Sequence, residues 1–249
     1  LKLSVVVPAF NEERLLAGTL RHIDASMTVF VRAGWSCELV VCDNNSTDRT
    51  AEIAREGGAR VVFEPVNQIA RARNTGARAV SGEWLVFVDA DSSPTPALFE
   101  DVLYAIESEE CIGGGSTVTL QGAPLGVRAW VALWNTLSRI MRWAAGSFIF
   151  CEAAAFRRIG GFSEELYAAE EIDFSRRLKR LGPFVILHQH PLTTSARKAE
   201  LYRWTEHLAF FWKMLTAGRR TLRSREACSV WYDGRRLEFG VRVVIIRRA

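Results

Sequence analysis

The chain has 249 residues, 49% of them hydrophobic and 24% charged. That balance excludes a disordered protein and fits one soluble globular core. The net charge of +4 is uneven: residues 197–249 hold thirteen Lys/Arg against five Asp/Glu, a net of +8, leaving −4 before them. A basic end suits an anionic partner such as a diphosphate, a lipid phosphate or a membrane surface. A solvated face or an oligomer contact explains it equally well, and no nucleic-acid partner is expected.

No run of about 18 apolar residues is present, so no spanning helix is expected. The start of the chain carries no charged-then-apolar leader. The expectation is therefore a cytoplasmic protein, with the inner face of the membrane as a second location. The five cysteines are scattered without a CxxC pair, which points to free thiols, not to a disulfide scaffold or zinc knuckle.

In chain order, residues 3–7 read as a strand, 12–32 as a helix, 38–42 as a strand and 47–56 as a helix. A strand at 59–63, a helix at 68–80 and a strand at 84–88 follow. Near-continuous apolar strands alternating with helices predict an α/β fold with a mostly parallel sheet covered on both faces. Beyond Asp91 the alternation loosens. Residues 96–108 read as helical, 111–120 as extended, 126–145 as a Trp/Arg-rich helix and 172–181 as a short helix. Residues 201–217 read as an amphipathic helix and 241–246 as a strand. The expected organisation is one domain, residues 1–249. A nucleotide-binding half covers 1–92, an acceptor and catalytic half 93–200, and an amphipathic helix with a basic tail 201–249.

Parallel sheets bind ligands at the carboxyl ends of their strands, and the polar motifs fall there. The first strand ends in Pro8-Ala9-Phe10-Asn11-Glu12-Glu13, where proline should stop the ladder and a loop should feed a helix whose N–H groups favour anions. The second ends in Asp43-Asn44-Asn45-Ser46-Thr47-Asp48. The first three of these suit a base or ribose, and Thr47 and Asp48 suit helix capping. The fourth ends in Asp89-Ala90-Asp91. Two adjacent acids are costly to gather without a cation or donors to accept them, and a divalent cation bridged to a diphosphate satisfies both.

Arg71 and Arg73 lie in a segment of small residues. Arg73 could pair with phosphate or with Asp89, and Arg71 reads as solvated. Gly76 should let its helix approach the sheet closely. Glu170, Glu171 and Asp173 open a helix whose dipole stabilises them and should keep a general base ionised.

Taken together these motifs resemble family 2 of the glycosyltransferases, which share the GT-A fold. The resemblance covers roughly residues 3–200. It rests on Val5-Val6-Val7-Pro8-Ala9-Phe10-Asn11-Glu12, Asp43-Asn44-Asn45-Ser46-Thr47-Asp48, Arg73-Asn74-Thr75-Gly76, Asp89-Ala90-Asp91, and Gly160-Gly161-Phe162 followed by Glu170-Glu171-Ile172-Asp173. It implies a GT-A-type Rossmann-like sheet with a C-terminal acceptor lobe, a nucleotide-sugar donor (a UDP-sugar first), a hydroxyl acceptor and inversion at the sugar. Pro8, Ala9, Phe10, Asn11, Glu12, Asp43, Asn45 and Arg73 would line the donor site, with Asp89 and Ala90 beside the ribose or metal. Asp91, with Asp89, would hold Mn²⁺ or Mg²⁺. Glu171 would be the general base, with Glu170 and Asp173 in reserve.

Two positions depart from that pattern. Glu171 stands where the family has an aspartate, and one added methylene shifts a carboxylate by about an ångström. The stretch matching a family histidine ligand reads Thr193-Thr194-Ser195-Ala196-Arg197, so His188 and His190 are expected in ordinary polar or core roles. Arg197 or Lys198 could help neutralise a departing diphosphate.

Competing classes are a nucleotidyltransferase, a dinucleotide oxidoreductase, and a sugar-nucleotide-binding or membrane-associated scaffold with little catalysis. The first needs a Gly-rich basic loop after strand one, and the second a GxGxxG there; neither is present. The aromatic stretches 126–145 and 201–217 suit either the acceptor lobe's core, the favoured reading, or an interface with lipid.

Overall fold

The structure, a computed structural model, describes residues 1–195, 222–226 and 228. The expectations for residues 201–217 and 241–246, and for Arg197 and Lys198, lie outside the described residues.

In chain order the elements are β1 (Lys2–Ala9), α1 (Leu16–Arg32), β2 (Ser36–Asp43), α2 (Thr50–Glu56), β3 (Arg60–Phe63), α3 (Ile69–Arg78) and β4 (Trp84–Val88). Then come β5 (Ser92–Ser93), α4 (Pro96–Glu107), β6 (Gly113–Gln121), α5 (Leu125–Met141), β7 (Phe148–Glu152), α6 (Ala153–Arg158), α7 (Glu170–Leu178) and β8 (Phe184–Ser195). The strands form one sheet in the order β3-β2-β1-β4-β7-β6-β8-β5.

The first half is parallel throughout, as the alternating pattern predicts: β1 pairs with β2 and β4, and β2 with β3. The second half is mixed. β7 runs antiparallel to both β4 and β6, β5 runs antiparallel to β8, and β6 and β8 are parallel. Four of the seven pairings are parallel, so the sheet is mostly parallel, and its antiparallel pairings all lie in the second half. β7 follows β4 in the sheet but arrives from α5 by a short loop, which returns it in the opposite sense.

Side chains alternate across the sheet. Leu3, Val5 and Val7 of β1 join Leu20, Ile23 and Phe30 of α1 and Phe99 of α4 on one face. Val6, Leu85 and Phe87 join Phe156, Phe162, Phe174 and Leu178 on the other. Period-2 strands buried on both sides require helices on both faces, and α1 and α4 cover one while α3, α6 and α7 cover the other.

Two local expectations change. β1 does not stop at Pro8: it runs to Ala9, with Pro8 opposite Cys42 and Ala9 opposite Asp43. Pro8 is tolerated because the ladder with β4 ends earlier, at Val6. The first helix starts at Leu16, not Glu12, because the Glu12 carbonyl closes a turn by accepting the Leu15 and Leu16 amides. All five cysteines are free.

The core reading of the 126–145 stretch holds for one side of α5 only. Val131 and Trp134 pack on the core, while Trp130, Leu133, Leu137, Ile140 and Met141 are exposed.

Candidate active site

The loops after β1 and β2 lie side by side and hold each other. The Asn11 amide donates to Ser46 Oγ, the Glu12 amide to Thr50 Oγ1 and the Glu13 amide to Asp48. In return the Thr47 amide donates to Asn11 Oδ1 at 2.7 Å. These amides are engaged by side chains, which corrects the expectation that they await an anion. Asn11 (φ 51°) and Asn45 (φ 65°) take left-handed backbone, a conformation asparagine accepts more readily than most residues.

Asp43 is buried at the end of β2, its Oδ1 accepting the Ser46 amide at 3.0 Å. Asn44 does not face a ligand. Its side chain donates to the Glu64 and Val66 carbonyls and accepts the Gln68 amide, tying β2 to the start of α3. Asn45 is exposed beside it. Of the expected caps, Asp48 accepts the Thr50 amide, whereas Thr47 turns to Asn11.

Helix α3 carries the centre of the site. Gly76 lets it lie on the sheet, since a Cβ there would meet Val6 Cγ1 at 2.3 Å. That approach sinks Arg73 to 1% exposure. Its Nη1 donates to Glu170 Oε1 at 2.7 Å, and its Nη2 donates to Asp89 Oδ1 at 3.1 Å and to the Gly146 carbonyl at 2.7 Å. The guanidinium also lies over the Phe162 ring, 5.1 Å from its centroid. One arginine thus joins the acids after β4 to the acids opening α7. Its pKa is raised: burial opposes the charge, and Asp89, Glu170 and Glu171 outweigh burial.

The loop from Gly161 to α7 is held by the same helix. Asn74 grips the Phe162 peptide from both sides, donating to its carbonyl and accepting its amide, each at 2.9 Å. Gln68 Nε2 donates to the Glu164 and Leu166 carbonyls. Arg71, expected in solvent, instead bridges Glu64 and Glu164.

Glu170 is buried and Glu171 half-buried. Burial, then the neighbouring charge of Glu170, push the Glu171 carboxyl up to about 8, with Arg73 opposing. This corrects the expectation that the helix dipole keeps this carboxylate ionised near neutral pH: desolvation and a like charge outweigh it. Asp173 is occupied by Arg177, with Nε at 2.6 Å, and Arg177 also donates to the Ile159 and Gly161 carbonyls.

Asp91 lies against β8. Its carbonyl accepts the Ser195 amide at 3.2 Å, and Thr194 Oγ1 stands 3.4 Å from its Oδ1. A cavity of about 320 Å³ opens there, lined by Leu15, by Gly18 and His22 of α1, and by Asp91 and Thr194. His190 pairs with Asp101 of α4 and His188 lines a separate groove near α5.

Among the described residues no group of three His, Cys, Asp or Glu gathers as a metal site. Asp89, one oxygen of which Arg73 holds, and Asp91 supply carboxylates of the kind a hard divalent cation takes, since Mg²⁺-type ions use one or two and complete their shell with phosphate and water.

Sequence reasoning missed Gln68, Gly146 and Ser175. Ser175 donates to the Glu171 carbonyl and accepts the Ala144 amide, fastening the 142–147 loop to α7. Only Gly146, a glycine just before an apolar run, left a trace in the sequence.

The arrangement is an α/β sheet with acids at its strand ends, drawn together by one buried arginine. Residues 4–160 match glycosyl transferase family 2, and the chain belongs to that family. It is 36% identical over 109 residues to the validoxylamine A glucosyltransferase of Streptomyces hygroscopicus subsp. limoneus, covering 41% of this chain and 23% of that protein. It is 31% identical over 124 residues to the dolichol-phosphate mannosyltransferase of Pyrococcus furiosus, covering 47% and 33%. The chain therefore matches a quarter to a third of the length of these curated relatives. Its fold is similar to that of the mannosyltransferase PcManGT from Pyrobaculum calidifontis, solved with GDP-Man and Mn²⁺. The TM-score is 0.65 at 19% identity, over 92% of this chain and 72% of that one.

Proposed function

We propose that the chain is an inverting, metal-dependent glycosyltransferase. It moves a sugar from a nucleoside-diphosphate donor, with uridine diphosphate the first carrier to test, to a hydroxyl of a saccharide, lipid-linked or small-molecule acceptor. The observation that carries this reading is Arg73, which ties Asp89 to Glu170, next to Glu171, at the carboxyl ends of the strands. Family membership and the relatives' names support it.

Pro8, Ala9, Phe10, Asn11, Glu12, Asp43 and Asn45 form the rim that takes the nucleoside. Arg73 fixes the orientation of Asp89 beside the ribose, and Asp91 with Asp89 would hold Mn²⁺ or Mg²⁺. When bound, the cation supplies the positive charge that offsets the departing diphosphate. Glu171 takes the proton of the acceptor hydroxyl as its oxygen attacks the anomeric carbon opposite the diphosphate. The new carbon–oxygen bond forms as the bond to phosphate breaks, which inverts the centre. A base whose pKa lies near the working pH is well matched to that transfer.

The test is thermal shift with UDP, GDP and their sugars, with and without Mn²⁺. A metal-dependent rise that Asp91→Ala abolishes supports the donor site and identifies the nucleotide. No rise with any nucleotide in folded protein removes the reading. Binding without release of nucleoside diphosphate in the presence of varied acceptors would instead favour a non-catalytic scaffold.

A further inference from the structure

Helix α5 rests on the sheet through a narrow line. Asn135 bonds both the amide and the carbonyl of Val118, and Ser138 donates to the Trp143 carbonyl. Away from that line, Leu133, Leu137, Ile140 and Met141 are 59%, 41%, 73% and 41% exposed. Their spacing of three and four residues puts them on one stripe. A contiguous apolar stripe on a helix 17 residues long marks a contact surface, unlike singly scattered apolar residues.

The charge around the stripe has one sign. Between Glu110 and Glu152 the sequence has no Asp or Glu and three arginines: Arg128, Arg139 and Arg142. All three are exposed. Lys179 Nζ donates to the Met141 carbonyl at the end of α5, and Arg176 lies over the Trp143 ring at 4.8 Å. Glu110 lies in a groove it shares with Arg139, Arg142 and His188.

We propose that the outward face of α5 docks on an anionic lipid surface, its apolar stripe entering the headgroup boundary with the arginines against lipid phosphates. An apolar face with a basic flank is the pattern of an interfacial helix. Among the described residues no helix is long and apolar enough to cross a membrane, so the contact is lateral. A second copy is the poorer occupant. Pairing this face with itself would set two groups of arginines together with no carboxylate on the helix to offset them. The inference is independent of the donor chemistry.

The test is flotation of the full chain with phosphatidylcholine vesicles, with and without phosphatidylglycerol, at low and high salt. The expected result is capture by the anionic vesicles alone, weakened by salt. Replacing Arg128, Arg139 and Arg142 together by Gln should weaken partitioning roughly a hundredfold. Leu133→Glu should weaken it too, with the melting temperature kept. The proposal is overturned by equal capture on neutral vesicles, by no capture at low salt, or by arginine variants that bind like the parent. Loss of the melting transition in Leu133→Glu, or a dimer formed through this face without lipid, would also overturn it.

Discussion

The Glu170 carboxylate accepts a 2.7 Å hydrogen bond from Arg73, and both side chains are shut away from solvent. Arg73→Ala leaves Glu170 buried without its cation and unties Asp89 from α3. Removing one partner of a buried ion pair costs about 3–5 kcal/mol. Urea denaturation should show a loss of that size, and activity should fall with it. Arg73→Lys should restore part of the stability but little activity, because an ammonium cannot reproduce a fork that reaches Glu170, Asp89 and Gly146 at once.

With Glu171 as the proposed base, its carboxyl, pushed up to about 8, would set the pH dependence. Free-enzyme kcat/KM should rise with pH to a midpoint near that value. Glu170→Gln removes the neighbouring charge, so the midpoint should move down while burial keeps it above the ordinary carboxylate range. Glu171→Gln should lower kcat by about 10²–10⁴-fold with nucleotide binding retained. A profile flat through neutral pH would exclude Glu171 as the base.

The same shift reaches stability. The folded state holds a proton at Glu171 that the unfolded chain releases near pH 4.5, so this group's contribution is lost as pH rises from about 4.5 to 8. Chemical denaturation across that window should show Glu171→Gln with a shallower decline than the parent.

Asn74→Ala should remove both bonds to the Phe162 peptide and leave its buried amide and carbonyl short of partners. The expected loss is about 1–3 kcal/mol. Protection of the Phe162 amide from hydrogen exchange should drop more than the global change alone explains.

Gly76→Ala inverts the usual helix rule. Alanine in a helix is favoured over glycine by about 1 kcal/mol. Here the added methyl meets Val6 at 2.3 Å, and overpacking costs about 1–3 kcal/mol. Calorimetry should show a lower melting temperature, partly recovered by adding Val6→Ala.

The first half was legible because each of its strands is an apolar run closed by a polar motif, and β4 came out residue for residue. The acidic motifs were legible as types, but their partners were not. That Arg73 reaches Glu170 depends on how α3 lies on the sheet, and no local pattern encodes a contact 97 residues apart. β7 was missed because Phe148–Glu152 is too short and apolar to separate from a buried turn. β8 was missed because its middle, His188-Gln189-His190, bows out at a register shift and breaks the alternation. Asn44 misled for another reason: an amide beside Asp43 suits a ligand as well as it suits the loop carbonyls it holds.

The five-residue pairing of β4 with β7 makes one uninterrupted sheet from β3 at one edge to β5 at the other. A molecule built this way cannot open like a jaw, because parting its halves would tear backbone ladders. Movement that keeps those ladders whole is left to the segments that border the acids, such as the turn around Gly146 and the strand end at Thr194. For the proposed transfer, substitutions in those borders should alter release rates before they alter the chemistry.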